Sequence, residues 1–258
     1  MDVAIVTAIL LCAFMTAVWA VYLYYKEPAI VDIAWAASIG VGSVCYFFLS
    51  PAHTSIRWAT LLCVLLWSAR LCSLLTWRLV SGIKDTRYEA LTKEFGAWKE
   101  WKYLLFYYAQ ALGAFVMLIP MMYIFIDEGA QWNWIATLAS IWYGISFVCE
   151  AWADYTLAHF KSERKGDKQI CDEGLWRYSR HPNYFFEVQI WVAIALFAGA
   201  SSPDGYWALI TPGVLLILVL YVTGVPPTES RALEKYGEKY RAYQEKTSPF
   251  IPWFRSNA

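Results

Sequence analysis

Charge is scarce in this chain: Asp, Glu, Lys and Arg make up 16% of 258 residues, against about 25% in an ordinary soluble domain. Water is therefore not its main solvent. Neither sign is in excess, with 21 basic and 21 acidic residues, which removes the case for nucleic-acid binding. The six cysteines, at 12, 45, 63, 72, 149 and 171, lie mostly within apolar stretches and show no paired metal-ligand spacing. They read as small buried hydrophobes, so neither a metal site nor a disulfide framework is expected. A short apolar segment followed by a small-residue cleavage site is also missing, and the first helix is expected to be a retained span. Without an internal repeat, a low-complexity run or a linker, the chain reads as a single membrane domain.

What fills the sequence is apolar. Hydrophobic residues reach 59% and aromatics 18%, including 15 Trp and 18 Tyr, rings that collect where a bilayer meets water. A spanning helix needs about 20 mostly apolar residues. Seven stretches qualify, at residues 3–25, 29–50, 57–79, 103–126, 133–159, 184–201 and 206–225, the second and sixth weakly bounded. The predicted fold is all-α, a polytopic membrane helix bundle of about seven transmembrane helices, with an amphipathic helix over 228–246 after Pro226 and Pro227. Basic residues orient it. Eighteen of 21 fall in Lys26, segments 80–102 and 161–183, and the tail, while the opposite loops keep only Arg57. Cytoplasmic loops are enriched in Lys and Arg, so an outside or lumenal N-terminus and a cytoplasmic C-terminus are expected, in a bacterial inner membrane or the endoplasmic reticulum.

Ionisable groups inside spans are costly and mark functional sites by default. They are Asp32, Arg70, Arg78, Glu150, Asp154 and Glu187, with His159 near a span end. Glu150, Asp154 and Lys161 share one helical face. They read either as structural ion partners of Arg70 or Arg78, or as the polar wall of a cofactor site. Arg70 and Arg78 suit a dinucleotide phosphate, or snorkel to the interface.

The densest recognition chemistry lies in DEGLWRYSRHPNYFFE, residues 172–187. Arg177 and Arg180 offer forks for phosphate, His181 and Asn183 neutral donors and acceptors, and Trp176, Tyr178 and Tyr184 flat faces. Pro182 leads into a helix N-terminus, whose free N–H groups favour an anion. In the charged helix, Thr228 is a candidate cap, and Arg231 and Tyr240 are candidates to turn toward the 161–183 loop. The segment SPFIP at 248–252 ends that helix.

These residues carry a family resemblance. GLWRYSRHPNYFFE, preceded by WADYTLAHFK and followed by ESRALEKYGEKYRAY from Glu229, resembles the steroid 5-alpha-reductase C-terminal superfamily. VDIAW at 31 and RLCSLLTWRLVSGIKDTRY at 70 extend the likeness to its short membrane proteins of unknown function. The resemblance implies a seven-helix bundle with NADPH entering from the cytoplasmic side and a steroid, sterol or isoprenoid enone in the membrane. Residues 1–102 would form the substrate side and 103–258 the cofactor-binding half. By position, Arg70, Asp154, Lys161, Asn183 and Glu187 match cofactor contacts, Arg180 with His181 belongs to the RHPNY form shared with sterol reductases, and Glu229 and Arg231 align with polar contacts of different type. The implied chemistry is reduction of an enone, with an acid polarising the carbonyl. The family's acid pair is a Glu and a Tyr. This chain offers Asp32 on span two and Trp67 at the Tyr position, so Asp32 and Tyr107 are the catalytic candidates. Phe186 stands where relatives usually have Gly, which would reshape the pocket.

Two other classes compete. Membrane isoprenylcysteine carboxyl methyltransferases share a similar RHP-x-Y turn and would use S-adenosylmethionine; Asn183 after the Pro and the acid-bearing WADYTLAHFK span favour the reductase. The Trp67 and Phe186 departures motivate a non-catalytic lipid-binding protein.

Overall fold

A computed structural model describes residues 3–49, 54–82, 86–126, 129–163 and 169–255. Four residues of the basic loops, Lys84, Arg164, Lys165 and Lys168, lie outside the described residues. The helices are α1 (Val3–Tyr25), α2 (Ile30–Leu49), α3 (Ser55–Val80), α4 (Thr86–Phe95), α5 (Lys99–Met117), α6 (Ile119–Ile126), α7 (Trp134–Glu163), α8 (Pro182–Ser201), α9 (Ile210–Tyr221), α10 (Val225–Tyr236) and α11 (Glu238–Lys246). Among the described residues there is no strand, only an isolated parallel bridge between Ser179 and Ser248. Seven helical stretches are long and apolar enough to cross a membrane. The protein is an all-α polytopic bundle, as its composition predicts, because a helix satisfies every backbone group internally where no water can. The outer face of α1 carries exposed Ile5, Ile9, Leu10 and Phe14, a surface suited to lipid.

The helices depart from expectation in four places. The second span, weakly bounded in sequence, is one continuous helix. The 80–102 loop is largely helical: α4 and a 3-10 turn at Gly96–Trp98 run directly into α5. The fourth span is broken at Leu118, two residues before Pro120, whose ring and missing N–H disrupt the preceding helical ladder. The charged helix expected over 228–246 is two helices separated by Gly237 at φ +57° and ψ −131°, a conformation that a Cβ disfavours. Pro226 and Pro227 start α10 instead of ending the span before it, since a first helical turn has no use for the missing N–H. Helix α9 ends at Tyr221, and the turn after it passes through Gly224, where a Cβ would meet the Val219 carbonyl oxygen at 2.6 Å. Thr228 is not a cap: it sits inside α10 and its hydroxyl donates to the Gly224 carbonyl at 2.7 Å.

The chain forms two compact units, residues 1–132 with 200–205, and residues 133–199 with 206–258. In the first, α2 lies along α3, where Ser68 Oγ donates to the Ala36 carbonyl at 2.9 Å. Trp67 is wholly buried and meets Trp35 edge-on at 5.9 Å between ring centroids. Helix α1 lies along α5: Trp19 Nε1 donates to the Glu100 carbonyl at 2.9 Å, and Tyr22 packs on Tyr103 at 4.8 Å. Arg57 corrects its expected place in a loop. It belongs to the first turns of α3, fully buried, with Nε donating to the Ile124 carbonyl at 3.0 Å.

In the second unit, the 3-10 turn Gly174–Arg177 is pinned to α7 by Trp176 Nε1, which donates to the Ala153 carbonyl at 2.9 Å. Helix α8 starts at Pro182, with His181 accepting from the Phe185 N–H at 3.1 Å. A small core of Val188, Val219 and Phe250 joins α8, α9 and the C-terminal segment.

Candidate functional site

The turn before α8 is tied down from both sides. After Lys246 the chain runs extended beside residues 178–181: the Arg180 N–H donates to the Ser248 carbonyl at 2.9 Å, Ser179 Oγ to the Phe250 carbonyl at 2.7 Å, and the Trp253 N–H to the Tyr178 carbonyl at 3.0 Å. Below this seam, Tyr243 of α11 donates its hydroxyl to the Trp176 carbonyl at 2.5 Å. Burial drives the Tyr243 phenol well above its ordinary value, with Tyr240 adding to the effect.

The seam positions a charged cluster. Arg180 donates from Nε to Glu229 Oε1 at 2.6 Å, and from one Nη to the carbonyls of Gln244 and Thr247 at 3.0 and 2.7 Å. Glu229 also takes His181 Nε2 at 3.3 Å and the Gln244 amide at 2.8 Å. The Arg180 and Glu229 side chains are only 9% and 16% exposed, so the pair is nearly desolvated. Tyr240 is buried beside it; burial, and then the Glu229 charge, raise its phenol, and Arg180 opposes them. Arg180, His181, Glu229 and Tyr240 thus come together. Their arrangement differs from the expected phosphate fork, because the Arg180 guanidinium is already engaged by a carboxylate and two carbonyls.

One turn further on, α8 meets α7. Asn183 Nδ2 donates to Asp154 Oδ1 at 3.2 Å, while Asn183 Oδ1 is buried with no hydrogen-bond partner. Glu187 Oε1 accepts from Trp191 Nε1 at 3.2 Å, and Glu150 is buried one turn before Asp154. Phe186 is half-buried, edge-on to Phe185 at 5.1 Å. The remaining candidates of this unit stand apart: Lys161 is exposed in the last turn of α7, Tyr178 is exposed and edge-on to Phe254 at 6.4 Å, and Arg231 is half-buried on α10.

Asp32, Arg70 and Tyr107 belong to the first unit. Asp32 pairs with Arg87 at 3.0 Å and accepts from the Tyr88 hydroxyl at 2.7 Å. Tyr107 is wholly buried, its hydroxyl 3.5 Å from the Pro28 carbonyl. Arg70 is half-buried on α3. The phenol on Asp32 is therefore that of Tyr88, on α4, a residue that sequence reading passed over as part of a loop. Gln244 was passed over too, and SPFIP at 248–252, read only as the end of the charged helix, belongs to the seam.

Comparison with known proteins places this architecture. The family described as "Protein of unknown function (DUF1295)" matches residues 18–247. The chain belongs to the DUF1295 family. An uncharacterized protein of the fission yeast Schizosaccharomyces pombe is 26% identical over 272 residues, covering 91% of this chain and 75% of the relative. No solved structure matches. The match runs from the last turns of α1 to the end of α11 and takes in both clusters, while the segment that seams the second one lies beyond it.

Proposed function

We propose that this DUF1295 protein is an NADPH-dependent membrane oxidoreductase that reduces an activated carbon–carbon double bond, an enone, in a steroid, sterol or isoprenoid lipid. The observation that carries the reading is the Asp154–Asn183 pair. Its amide oxygen is buried and unsatisfied, a state that costs about 1–3 kcal/mol unless a donor arrives. A carboxamide N–H, such as nicotinamide bears, is a donor of the right kind, and Asp154 fixes the Asn183 amide so that its oxygen is presented. Glu187 lies one turn along the same helix. The steroid 5-alpha-reductase resemblance points to the same three residues.

NADPH, when bound, supplies the hydride. The chain's own part is to orient that cofactor through Asn183 and Asp154, to exclude water with the apolar spans, and to deliver a proton. Asp32 and Tyr88 are assigned the proton delivery, with Tyr107 as the second phenol of that unit. Tyr88 holds its hydroxyl proton against Asp32, and Arg87 compensates the carboxylate. The topology that accompanies this reading has the N-terminus outside or lumenal and the C-terminus cytoplasmic, in a bacterial inner membrane or the endoplasmic reticulum.

One observation favours a second reading. Arg180 is spent on Glu229, which suits a cofactor without phosphates, such as S-adenosylmethionine in a methyltransferase. Titration of the detergent-purified full chain with each cofactor separates the two. The reductase reading expects saturable NADPH binding, weakened about tenfold or more by Asn183→Ala, since a lost hydrogen bond in a dry site is worth about 1–3 kcal/mol. Saturable binding of S-adenosylmethionine with none of NADPH would overturn it.

A further inference from the structure

The C-terminal segment carries an exposed apolar ridge that cannot withdraw. Ile251, Trp253 and Phe254 are exposed at 58%, 68% and 81%, and the exposed ring of Tyr178 stands edge-on to Phe254. Their neighbour Phe250 is buried in the small core with Val188 and Val219. The backbone is held to the turn before α8, since Ser179 Oγ donates to the Phe250 carbonyl and the Trp253 N–H to the Tyr178 carbonyl. Folding the outer side chains inward would break those bonds, so they stay outside the unit. Large apolar side chains held together in the open mark an interaction surface.

The second unit itself sets the depth of this ridge. Its 3-10 turn, Gly174–Arg177, is fixed to α7 near residues 152–156: Trp176 Nε1 donates to the Ala153 carbonyl, and a Cβ on Gly174 would touch Trp152 and Thr156 at 3.6 and 3.7 Å. Ala153 lies nineteen residues beyond Trp134, where α7 starts, a rise of about 29 Å that matches a hydrocarbon core of about 30 Å. Exposed Trp134 at one end, and exposed Trp152 and Tyr155 at the other, bracket that distance, as the aromatic belts of a spanning helix do. Helix α8 gives the same level. It starts at Pro182, next to the Asn183 that bonds Asp154, and its 20 residues make one crossing of about 30 Å. The seam on Tyr178 and Ser179 therefore puts Trp253 and Phe254 where both spans leave the hydrocarbon, while the last turns of α7, to Glu163, continue beyond it.

We infer that Ile251, Trp253 and Phe254 dock into the interfacial layer of the bilayer, which makes the C-terminal segment a membrane-surface anchor at the level where α8 begins. The occupant is the bilayer because the ridge is continuous in depth with the aromatic belt of α7, and Trp rings are favoured at that layer. The anchor rests on apolar side chains and their depth, and it is independent of the cofactor assigned above. It braces the seam from its outer side, so that the turn carrying Arg180 and His181 is held between the core of the unit and the lipid.

The test uses the full chain in phosphatidylcholine nanodiscs, with the photoreactive residue benzoylphenylalanine in place of Phe254. Irradiation is expected to attach lipid to the protein, read by mass spectrometry, several-fold more than with the same group in place of Glu238, an exposed residue in the first turn of α11. Absence of lipid adducts at 254, attachment to a second copy of the chain instead, or equal lipid attachment at both positions would overturn the anchor. Amide exchange then reads the brace. Trp253→Ser/Phe254→Ser in nanodiscs is expected to speed exchange at Arg180 and Trp253, whose N–H groups make the seam, several-fold, with the middle of α7 unchanged. Unchanged exchange at the seam would overturn the bracing, and so would an equal loss of protection in the middle of α7.

Discussion

The two units each hold an acid, an arginine and a phenol in contact, and they use them differently. In the first unit, Asp32 meets Arg87 and Tyr88 with side chains 22% and 45% exposed for the ion pair, and each charge keeps access to solvent. In the second, Arg180 and Glu229 are nearly desolvated, and the pair draws in His181, Gln244 and two backbone carbonyls. An exposed pair contributes about 0.2–1 kcal/mol. A buried pair contributes little net, yet losing one member strands the other at a cost of about 3–5 kcal/mol. The same three residue types therefore make a nearly desolvated clamp in one unit and a partly exposed ion pair in the other.

The largest effect is expected at the clamp. Glu229→Ala leaves Arg180 buried without its carboxylate, and the thermal midpoint of the detergent-solubilised protein is expected to fall by roughly 10 °C. Glu229→Gln, which keeps two hydrogen-bonding atoms, should fall less. A midpoint unchanged in Glu229→Ala would mean that the cluster is not a clamp, and would return Arg180 to the phosphate role that its motif suggests.

A smaller effect belongs to the phenol that supports the clamp from α11. Tyr243→Phe removes one hydrogen bond to the Trp176 carbonyl, about 1 kcal/mol. Its pH dependence has a definite sign. Burial raises the folded-state value of Tyr243 above the unfolded value near 10, so above about pH 10 the unfolded chain releases a proton that the folded one keeps. Stability is thus full below that pH and declines as pH rises beyond it. Thermal midpoints measured from pH 8 to 11 should drop more steeply in the wild-type protein than in Tyr243→Phe. Parallel curves would show that Tyr243 does not carry the alkaline loss, leaving Tyr240, raised in the same direction, as its source.

Both clusters were partly legible from the chain alone. Seven apolar stretches of spanning length and a Pro at the head of α8 are local signals, and the bundle follows from them because lipid leaves helices as the remaining way to satisfy an open backbone. Asp32, Asp154 and Glu187 stood out because polar groups are rare in such surroundings, Arg180, His181 and Asn183 because the turn before α8 is dense in recognition chemistry, and Glu229 through the family resemblance. What the chain did not disclose was pairing at distance. Arg180 and Glu229 are 49 positions apart, and Asp32 and Tyr88 are 56 apart, so whether a guanidinium is offered to a ligand or consumed by a carboxylate is a tertiary fact. Gly237 did mark a break in the charged helix, and continuous amphipathic periodicity on both sides of it hid that mark.

On the stability scale the smallest change belongs to the open cluster, and there the functional reading is most exposed. Asp32→Asn keeps the shape of the side chain and removes its charge. Arg87, 45% exposed on its side chain, can turn to solvent, and Tyr88 can still donate to the amide oxygen. The midpoint should therefore move by no more than the value of an exposed pair, about 1 kcal/mol or less, while NADPH binding stays intact. If Asp32 supports proton delivery, reduction of any enone lipid that the wild-type protein accepts should be lost in this variant all the same. Full turnover in Asp32→Asn would leave the pair as a solvated tie between α2 and α4. Tyr88→Phe then decides where the acid lies: loss of turnover there, with Asp32 dispensable, would place it on the phenol.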